Sequence, residues 1–453
     1  MNVDSINIKA IKATNLRVDA SYHLSEGQEV KRIINSCPYE MLTIKDVSSD
    51  IFIGGRAKRV YVTKKEHGIP FLSSSDILQA DLENVKLASK KYTPNLEQMK
   101  LKKGWTLITR SGTIGNCAFA NAKHAQKLAS EHVIRVNPNN ILRQGLIYAY
   151  LTSKYGHSLL TQGTFGAVIQ HIEPAFVGSL PIPNFPESFQ IEIDKLIQES
   201  AKLREEATDA LDDAVLYFDT KFKIEDDMQN FFTKRVKDLS FSFASYNNNL
   251  EVNSFINQYS NDSIKLKDIT SKVFAPPLFK HIYLSKDNGY PFMTGSELTK
   301  FNLRYYRWLS PKGVKDIRDY IVKKGTLLLY KSGTTDGGIL GNVFIADEKL
   351  DGCCLSDHVI RIVFNDVRMA YWAFAFFRSK GAKKMLLRLA TGTMIPFITP
   401  ERIAETLIPS PDENFERIVS LIEKYVDFNS RSKFLEEEAI SMVEAEIEKW
   451  NKH

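Results

Sequence analysis

Short runs of apolar and β-branched residues, broken by glycine, asparagine and proline, dominate the chain. Thr106 to Thr109, His132 to Val136, Leu327 to Tyr330 and His358 to Val363 are of this kind and predict strands joined by turns. Helical periodicity is rarer: Leu146 to Leu160 and Ala370 to Leu389 carry aromatic side chains on one face and predict buried helices. A third texture occurs twice. Within Phe189 to Phe218, the residues Ile193, Leu196, Ser200, Leu203, Ala207, Ala210, Ala214 and Tyr217 fall at alternating spacings of three and four. Ile418, Leu421, Tyr425, Phe428, Ser432, Leu435, Ala439 and Met442 do the same. Such spacing predicts a helix-pairing seam with charged flanks. Both segments follow a proline-rich exit, Pro181 to Pro186 and Pro409 to Pro411, where a chain leaves a sheet and begins a helix.

These textures recur because the chain repeats itself. GIPFLSSSDIL from Gly68 returns as GYPFMTGSELT from Gly289, and KKGWTLITRSGT from Lys102 as KKGTLLLYKSGT from Lys323, both at an offset of 221. SEHVIRV from Ser130 matches SDHVIRI from Ser356 at an offset of 226, which places a five-residue insertion around Thr335 to Ile339. Farther on, Gly163-Thr164 corresponds to Gly392-Thr393, and the two proline exits to each other. So many blocks in one order describe a duplicated module of roughly 220 residues. Measured from the matched Leu196 and Leu421, the Glu-Glu-Ala of the second seam lies seven residues beyond that of the first, and one extra heptad preserves the seam. The expected fold is α+β: two pseudo-symmetric mixed α/β domains, residues 1–184 and 223–410, separated by two long antiparallel helices, residues 185–222 and 411–453, that form a coiled coil.

Charge is segregated along this plan. Glu187 to Asp213 holds nine acids and three bases, and Asp412 to the end eleven acids and six bases. Against a net charge of +6, this leaves the globular copies with about +17, the electrostatic footprint of a polyanion binder. No apolar run approaches the ~18 residues a membrane span needs, and a cleavable leader is lacking, so a cytoplasmic location is expected. The four cysteines, Cys37, Cys117, Cys353 and Cys354, form no CxxC pair, and neither a disulfide nor a metal framework is expected.

In order, spacing and duplication, the chain resembles the specificity subunits of type I restriction-modification systems over nearly its whole length. The shared patterns are the opening at Asp19 to Tyr22 and Ala244 to Tyr246, the turn at Ile44 to Val47 and Leu266 to Ile269, the Gly-x-Pro strand start at Gly68 to Pro70 and Gly289 to Pro291, and the hairpin ending Ser111 to Thr113 and Ser332 to Thr334. The chain departs from that pattern in carrying Trp105 and Thr326 where the family often has an acid, and in the insertion that interrupts the second Gly-Thr run. The resemblance implies two target-recognition domains, each followed by a spacer helix, that read an asymmetric bipartite DNA target. It also implies two methyltransferase partner subunits, which hold S-adenosylmethionine and methylate adenine, and through them motor-nuclease subunits. This chain itself would carry no cofactor and no metal. About 25 helical residues at 1.5 Å span roughly 37 Å, close to one turn of DNA.

Lysines are expected to position the DNA backbone, while arginine, glutamine, serine and threonine on loops read base edges. The candidates in the first copy are Lys58, Arg59, Lys64, Lys65, Arg110, Ser111, Thr113, Lys123, His124, Thr164, Gln170 and His171. Those in the second are Lys280, His281, Lys331, Ser332, Thr334, Thr335, Lys383, Lys384, Arg388 and Thr393. Exposed glutamates on the helices are expected to repel DNA and face basic partner surfaces. His132 and His358, at matching places in apolar strands, read as core or surface histidines. No catalytic residue is expected: the single Pro-Pro, Pro276-Pro277, lies in no methyltransferase motif, and the glycine-rich Ser332 to Asn342 lacks the lysine of a phosphate loop. Two rival readings remain open, a stand-alone site-specific nuclease with an unrecognised centre and a coiled-coil adaptor that binds no DNA.

Overall fold

The computed structural model describes residue 8 and residues 26–56, 58–80, 82, 85–162, 171–224, 232–240, 242–302, 307–334, 338–392 and 394–450. The chain divides into unit 1, Met1–Glu205 with Ser432–His453, and unit 2, Glu206–Arg431.

The strands of unit 1 are β1 (Met41–Thr43), β2 (Ser48–Ile53), β3 (Tyr61–Val62), β4 (Gly68–Leu72), β5 (Lys86–Ser89), β6 (Thr106–Thr109), β7 (Cys117–Phe119), β8 (Leu128–Ala129), β9 (Val133–Pro138) and β10 (Pro181–Pro183). They form an antiparallel sheet β2-β9-β6-β7, a second sheet β3-β5-β4-β8 in which β4 and β8 run parallel, and a ribbon β1-β10. Unit 2 repeats the set as β11 (Ser263–Lys265), β12 (Thr270–Phe274), β13 (Tyr283–Leu284), β14 (Tyr290–Met293), β15 (Trp308–Leu309), β16 (Leu327–Tyr330), β17 (Val343–Ile345), β18 (Cys354–Leu355), β19 (Val359–Phe364) and β20 (Leu407–Pro409). Its sheets run β12-β19-β16-β17, β13-β15-β14-β18 and β11-β20, so each strand occupies the place of the one ten earlier. Even the irregularity in β2, between Ser48 and Asp50, returns in β12 between Thr270 and Lys272. An irregularity kept in both copies is a built feature, because a bulge bends the strand and re-aims its side chains while pairing continues on both sides.

The central strands β6 and β16 are buried at every position, as their near-continuous apolar runs require. Beside each lies an arginine from the His-Val-Ile-Arg run. Arg135 is 0% exposed and Arg361 1%. The Arg135 guanidinium donates to the carbonyls of Ser130 (3.0 Å), Val133 (2.6 Å) and Ala129, the last of these in β8. That of Arg361 donates to Ser356 (3.0 Å), Val359 and, in β18, Leu355 (2.7 Å). In each copy one side chain from the large sheet thereby ties down the backbone of the small one. Burial pulls both guanidinium pKa values down to about 10, which still leaves them charged at neutral pH.

Each of the two expected aromatic helices is a pair. Gln144–Thr152 stops at Ser153 and Lys154–Gln162 follows; Val367–Arg378 stops at Ser379 and Lys380–Arg388 follows. The serines cause the break. Ser153 Oγ donates to the Tyr150 carbonyl (2.6 Å) and accepts from Gly156 N (3.1 Å), while Ser379 Oγ accepts from Ala382 N (3.4 Å), so each hydroxyl caps the new helix. Glycine lets the second helix pack: a Cβ on Gly381 would lie 2.1 Å from the Phe255 ring.

The long helices span Glu187–Lys221 and Phe415–Trp450. In unit 1 their outer halves run antiparallel: the Phe185 ring, just before the first helix, lies tilted against Trp450 with centroids 5.8 Å apart, and Ser200 Oγ donates to the Ser432 carbonyl at 2.7 Å. Unit 2 shows the same sense, with Lys424 3.7 Å from Glu206 and both Tyr217 and Lys221 on Asp412. Of the seam positions, Ile193, Leu203, Ala207, Ala210, Ile418 and Ala439 are buried, whereas Leu196, Leu421, Tyr425, Phe428, Leu435 and Met442 are half-buried. Ile197, Ala201, Leu211, Phe218, Ile422, Val426, Ile440, Val443 and Ile447 are buried as well. The buried stripe is broader than a two-position seam because each half-helix also packs on the core of its own unit. Not every helix glutamate is exposed: Glu436 is buried, paired with Arg204 and hydrogen-bonded by the Tyr148 hydroxyl.

Replacing Arg361 by lysine keeps the charge but cannot reach three carbonyls in a fixed fork. The Arg361→Lys substitution is expected to lower the stability of unit 2 by about 2–4 kcal/mol, read as a fall in its urea midpoint. An unchanged midpoint would show that those carbonyls are satisfied without the guanidinium.

Candidate nucleic-acid interface

In unit 1 the basic candidates gather around the small sheet and the β6–β7 hairpin. Lys58, Lys64 and Lys65 are exposed. Arg59 is half-buried, its guanidinium 4.9 Å above the Phe71 ring and paired with Glu131. Tyr61 is exposed beside them, with Lys86 Nζ 5.2 Å over its ring. An aromatic face flanked by cations suits a nucleic-acid backbone and its bases, and the sequence reading missed both residues.

The hairpin places Arg110, Ser111 and Thr113 in succession. Arg110 is buried, donates through Nε to the Ile172 carbonyl (3.2 Å) and pairs with Glu173. Thr113 is exposed at the turn, where Gly112 and Gly115 adopt φ of +78° and +79° that a side chain would strain. Ser111 Oγ lies 2.8 Å from His132 Nδ1, and His171 stacks on His132 with centroids 6.3 Å apart. Burial, with help from Arg59, Arg110 and His171, outweighs the nearby Glu131 and lowers the His132 pKa, so the ring is neutral at pH 7.

Unit 2 builds the same pair. Ser332 Oγ lies 3.0 Å from His358 Nδ1, and Lys331 Nζ is 3.7 Å from Asp357. The histidines read as core or surface residues thus meet the hairpin serine in both copies, and their recurrence at one place in the repeat was the signal available. Among the described residues no group of histidine, cysteine and carboxylate side chains could hold a metal ion.

Other candidates are placed differently from expectation. His124 is buried: its N–H and ring pack on the Asn121 side chain in a capping box, so it presents no face to DNA. Lys123 is half-buried on the same turn. Lys383, Lys384 and Arg388 share one short helix and are half-buried; Lys384 pairs with Glu251 (3.1 Å) and Arg388 with Asn253, which directs them toward the helix Leu250–Asn257. Lys280, His281 and Thr334 are exposed, with His281 4.5 Å from the Phe279 ring and 5.3 Å from Phe292. Tyr283 and Tyr290 are exposed on the same small sheet. Thr164, Gln170, Thr335 and Thr393 lie outside the described residues.

A sequence profile described as "Type I restriction modification DNA specificity domain" matches residues 38–198 and 260–438, well over half of the chain and once in each copy. The chain belongs to this family. It is a specificity subunit, which supplies target recognition, while catalysis resides on the partner subunits. No curated protein matches it. Among solved structures, the S subunit of a type I restriction-modification system from M. genitalium is 13% identical, covering 92% of this chain and 94% of its own, with a TM-score of 0.28. The HsdS subunit from Thermoanaerobacter tengcongensis is 14% identical, covering 91% and 96%, with a TM-score of 0.28. The family match, not these overlays, carries the assignment. Among the described residues of this specificity subunit no helix is long and apolar enough to cross a membrane.

Burial, followed by the charges of Arg204 and Lys127, drives the His124 pKa from 6.5 to about 3. The unfolded chain therefore takes up a proton that the folded chain refuses, and stability falls as pH drops below 6.5, by about 1.4 kcal/mol per pH unit until pH approaches 3. Between pH 7 and pH 5 the unaltered chain is expected to lose about 2 kcal/mol more unfolding free energy than a His124→Gln variant, measured by urea titration at each pH. Equal losses would place the acid sensitivity elsewhere.

Proposed function

We propose that this specificity subunit reads an asymmetric, bipartite target, each unit taking one half, and assembles with two methyltransferase subunits and through them with motor-nuclease subunits. The observation that carries this reading is a strand order repeated without change under exposed side chains that differ. Lys64 in one copy stands against Ser285 in the other and Arg59 against His281, while Tyr61 with Lys86 is kept in kind as Tyr283 with Arg307. One scaffold with two sets of contacts reads two different sequences, and the long helices set the number of base pairs between them. The shared Ser-His hairpins suit what both half-sites have in common, the sugar-phosphate backbone. The methyltransferase partners hold S-adenosylmethionine, and the assembly works in the cytoplasm.

Exchange of residues 1–180 for the same segment of another family member is expected to change one half of the methylated motif and leave the other intact, mapped by sequencing methylated bases in the host genome. A change in both halves, or in neither, overturns the reading. Replacing Lys64 and Lys65 with alanine is expected to weaken binding to all duplexes alike and to flatten the salt dependence by about two units of log K against log salt. A loss confined to one sequence would instead make these lysines base readers.

A further inference from the structure

One apolar surface in unit 2 is left unexplained by the contacts above. Met394 is 92% exposed, Ile395 68% and Phe397 43%, and Ile339 is exposed as well. Contiguous exposed apolar side chains on a soluble domain mark a contact site.

The loop that carries them is braced. Thr391 and Phe397 exchange backbone hydrogen bonds at 2.8 and 2.7 Å, and Arg402 Nη1 holds the Thr391 hydroxyl at 3.0 Å. The loop is also pinned to the Ser332-Gly333-Thr334 hairpin, with Gly333 N donating to the Pro396 carbonyl at 3.2 Å and Ile398 N to the Lys331 carbonyl at 2.7 Å. Gly392 adopts φ of +103°, and a Cβ there would come within 3.0 Å of the Ile395 carbonyl, so the apex is turned outward by a conformation that glycine permits. The result is a fixed apolar point on a base that carries the Lys331 ammonium and the Ser332 and Thr334 hydroxyls.

We propose that Met394 and Ile395 form a wedge that enters a base step in the half-site read by unit 2, so that this half selects sequence partly by how readily that step unstacks. The inference rests on the DNA-reading proposal above and adds the mode of reading. Charge and size choose this occupant. A stable protein interface takes roughly 800 Å² from each side, far more than a loop apex offers. One or two apolar side chains between base pairs are what kinks a duplex, with cations and hydroxyls beside them to take the flanking phosphates. Pyrimidine-purine steps open most easily and are the expected point of entry. The corresponding residues of the other copy, after Gly163-Thr164, read Phe165-Gly166-Ala167 rather than Met394-Ile395-Pro396. The proposal concerns unit 2, where the braced loop carries Met394 and Ile395.

The test uses the full chain with its methyltransferase subunits and a duplex bearing the motif mapped by methylation sequencing. The fluorescent base 2-aminopurine is placed at successive positions of the half-site, away from the methylated base. A severalfold rise in fluorescence on binding is expected at one step. A variant with Met394→Ser and Ile395→Ser is expected to abolish that rise and weaken specific binding by about 10–100-fold, leaving non-specific binding and its salt slope unchanged. An Ile395→Leu variant should retain the signal, and circular dichroism confirms that both fold. No rise at any position, or a double serine variant with undiminished specific binding, overturns the wedge. Loss of methyltransferase co-purification with DNA affinity preserved also overturns it, and makes the tip a protein contact. If the unaltered complex fails to prefer the mapped duplex, the DNA-reading proposal falls, and the wedge with it.

Discussion

Both copies hang on a guanidinium removed from water. Arg135 and Arg361 each reach from a strand of the large sheet into the neighbouring small sheet and donate to its backbone carbonyls. A buried charge of this kind costs several kcal/mol unless its donors are used, and in both copies the fork is placed on successive backbone oxygens. The cost secures a fixed angle between the sheet that carries the hairpin and the sheet that carries the exposed tyrosines. Since the same brace occurs twice, the frame stays constant while the loops around it diverge.

The recognition surface follows from that constancy. The serine of each hairpin meets the histidine immediately before its copy's Val-Ile-Arg triplet, so one short segment supplies both the brace and the hairpin's contact. Beyond this point the copies part. Unit 1 spends Arg59 and Arg110 on Glu131 and Glu173, while unit 2 presents a braced apolar loop. Divergence concentrated on loops over an unchanged frame is how one scaffold acquires two specificities.

The duplication, the strands at Thr106 to Thr109 and Leu327 to Tyr330, and the onset of both long helices after their prolines were legible in the sequence, because each depends on local spacing. What was not legible depended on partners distant along the chain. Nothing in His-Val-Ile-Arg distinguishes an exposed arginine from a buried one, since the carbonyls it binds lie on other segments. The seam looked narrow because a coiled coil buries two positions per heptad, whereas these helices also cover a domain core. His124 looked like a DNA contact because it stands beside Lys123, and only the surroundings of Asn121 reveal a cap. Ser153 and Ser379 split the two aromatic helices through hydroxyl bonds that an apolar periodicity does not register.

The division of the long helices also bears on how the chain is made. Unit 2 is continuous from Glu206 to Arg431, but the core of unit 1 includes Ala439, Ile440, Val443, Ile447 and Trp450. On the ribosome, the half synthesised first must wait for the segment Ala439 to Trp450 to emerge before its core closes, while the half synthesised second has all of its own sequence earlier. Premature termination a few turns before Trp450 would accordingly wound the amino-terminal half, leaving the interior one whole.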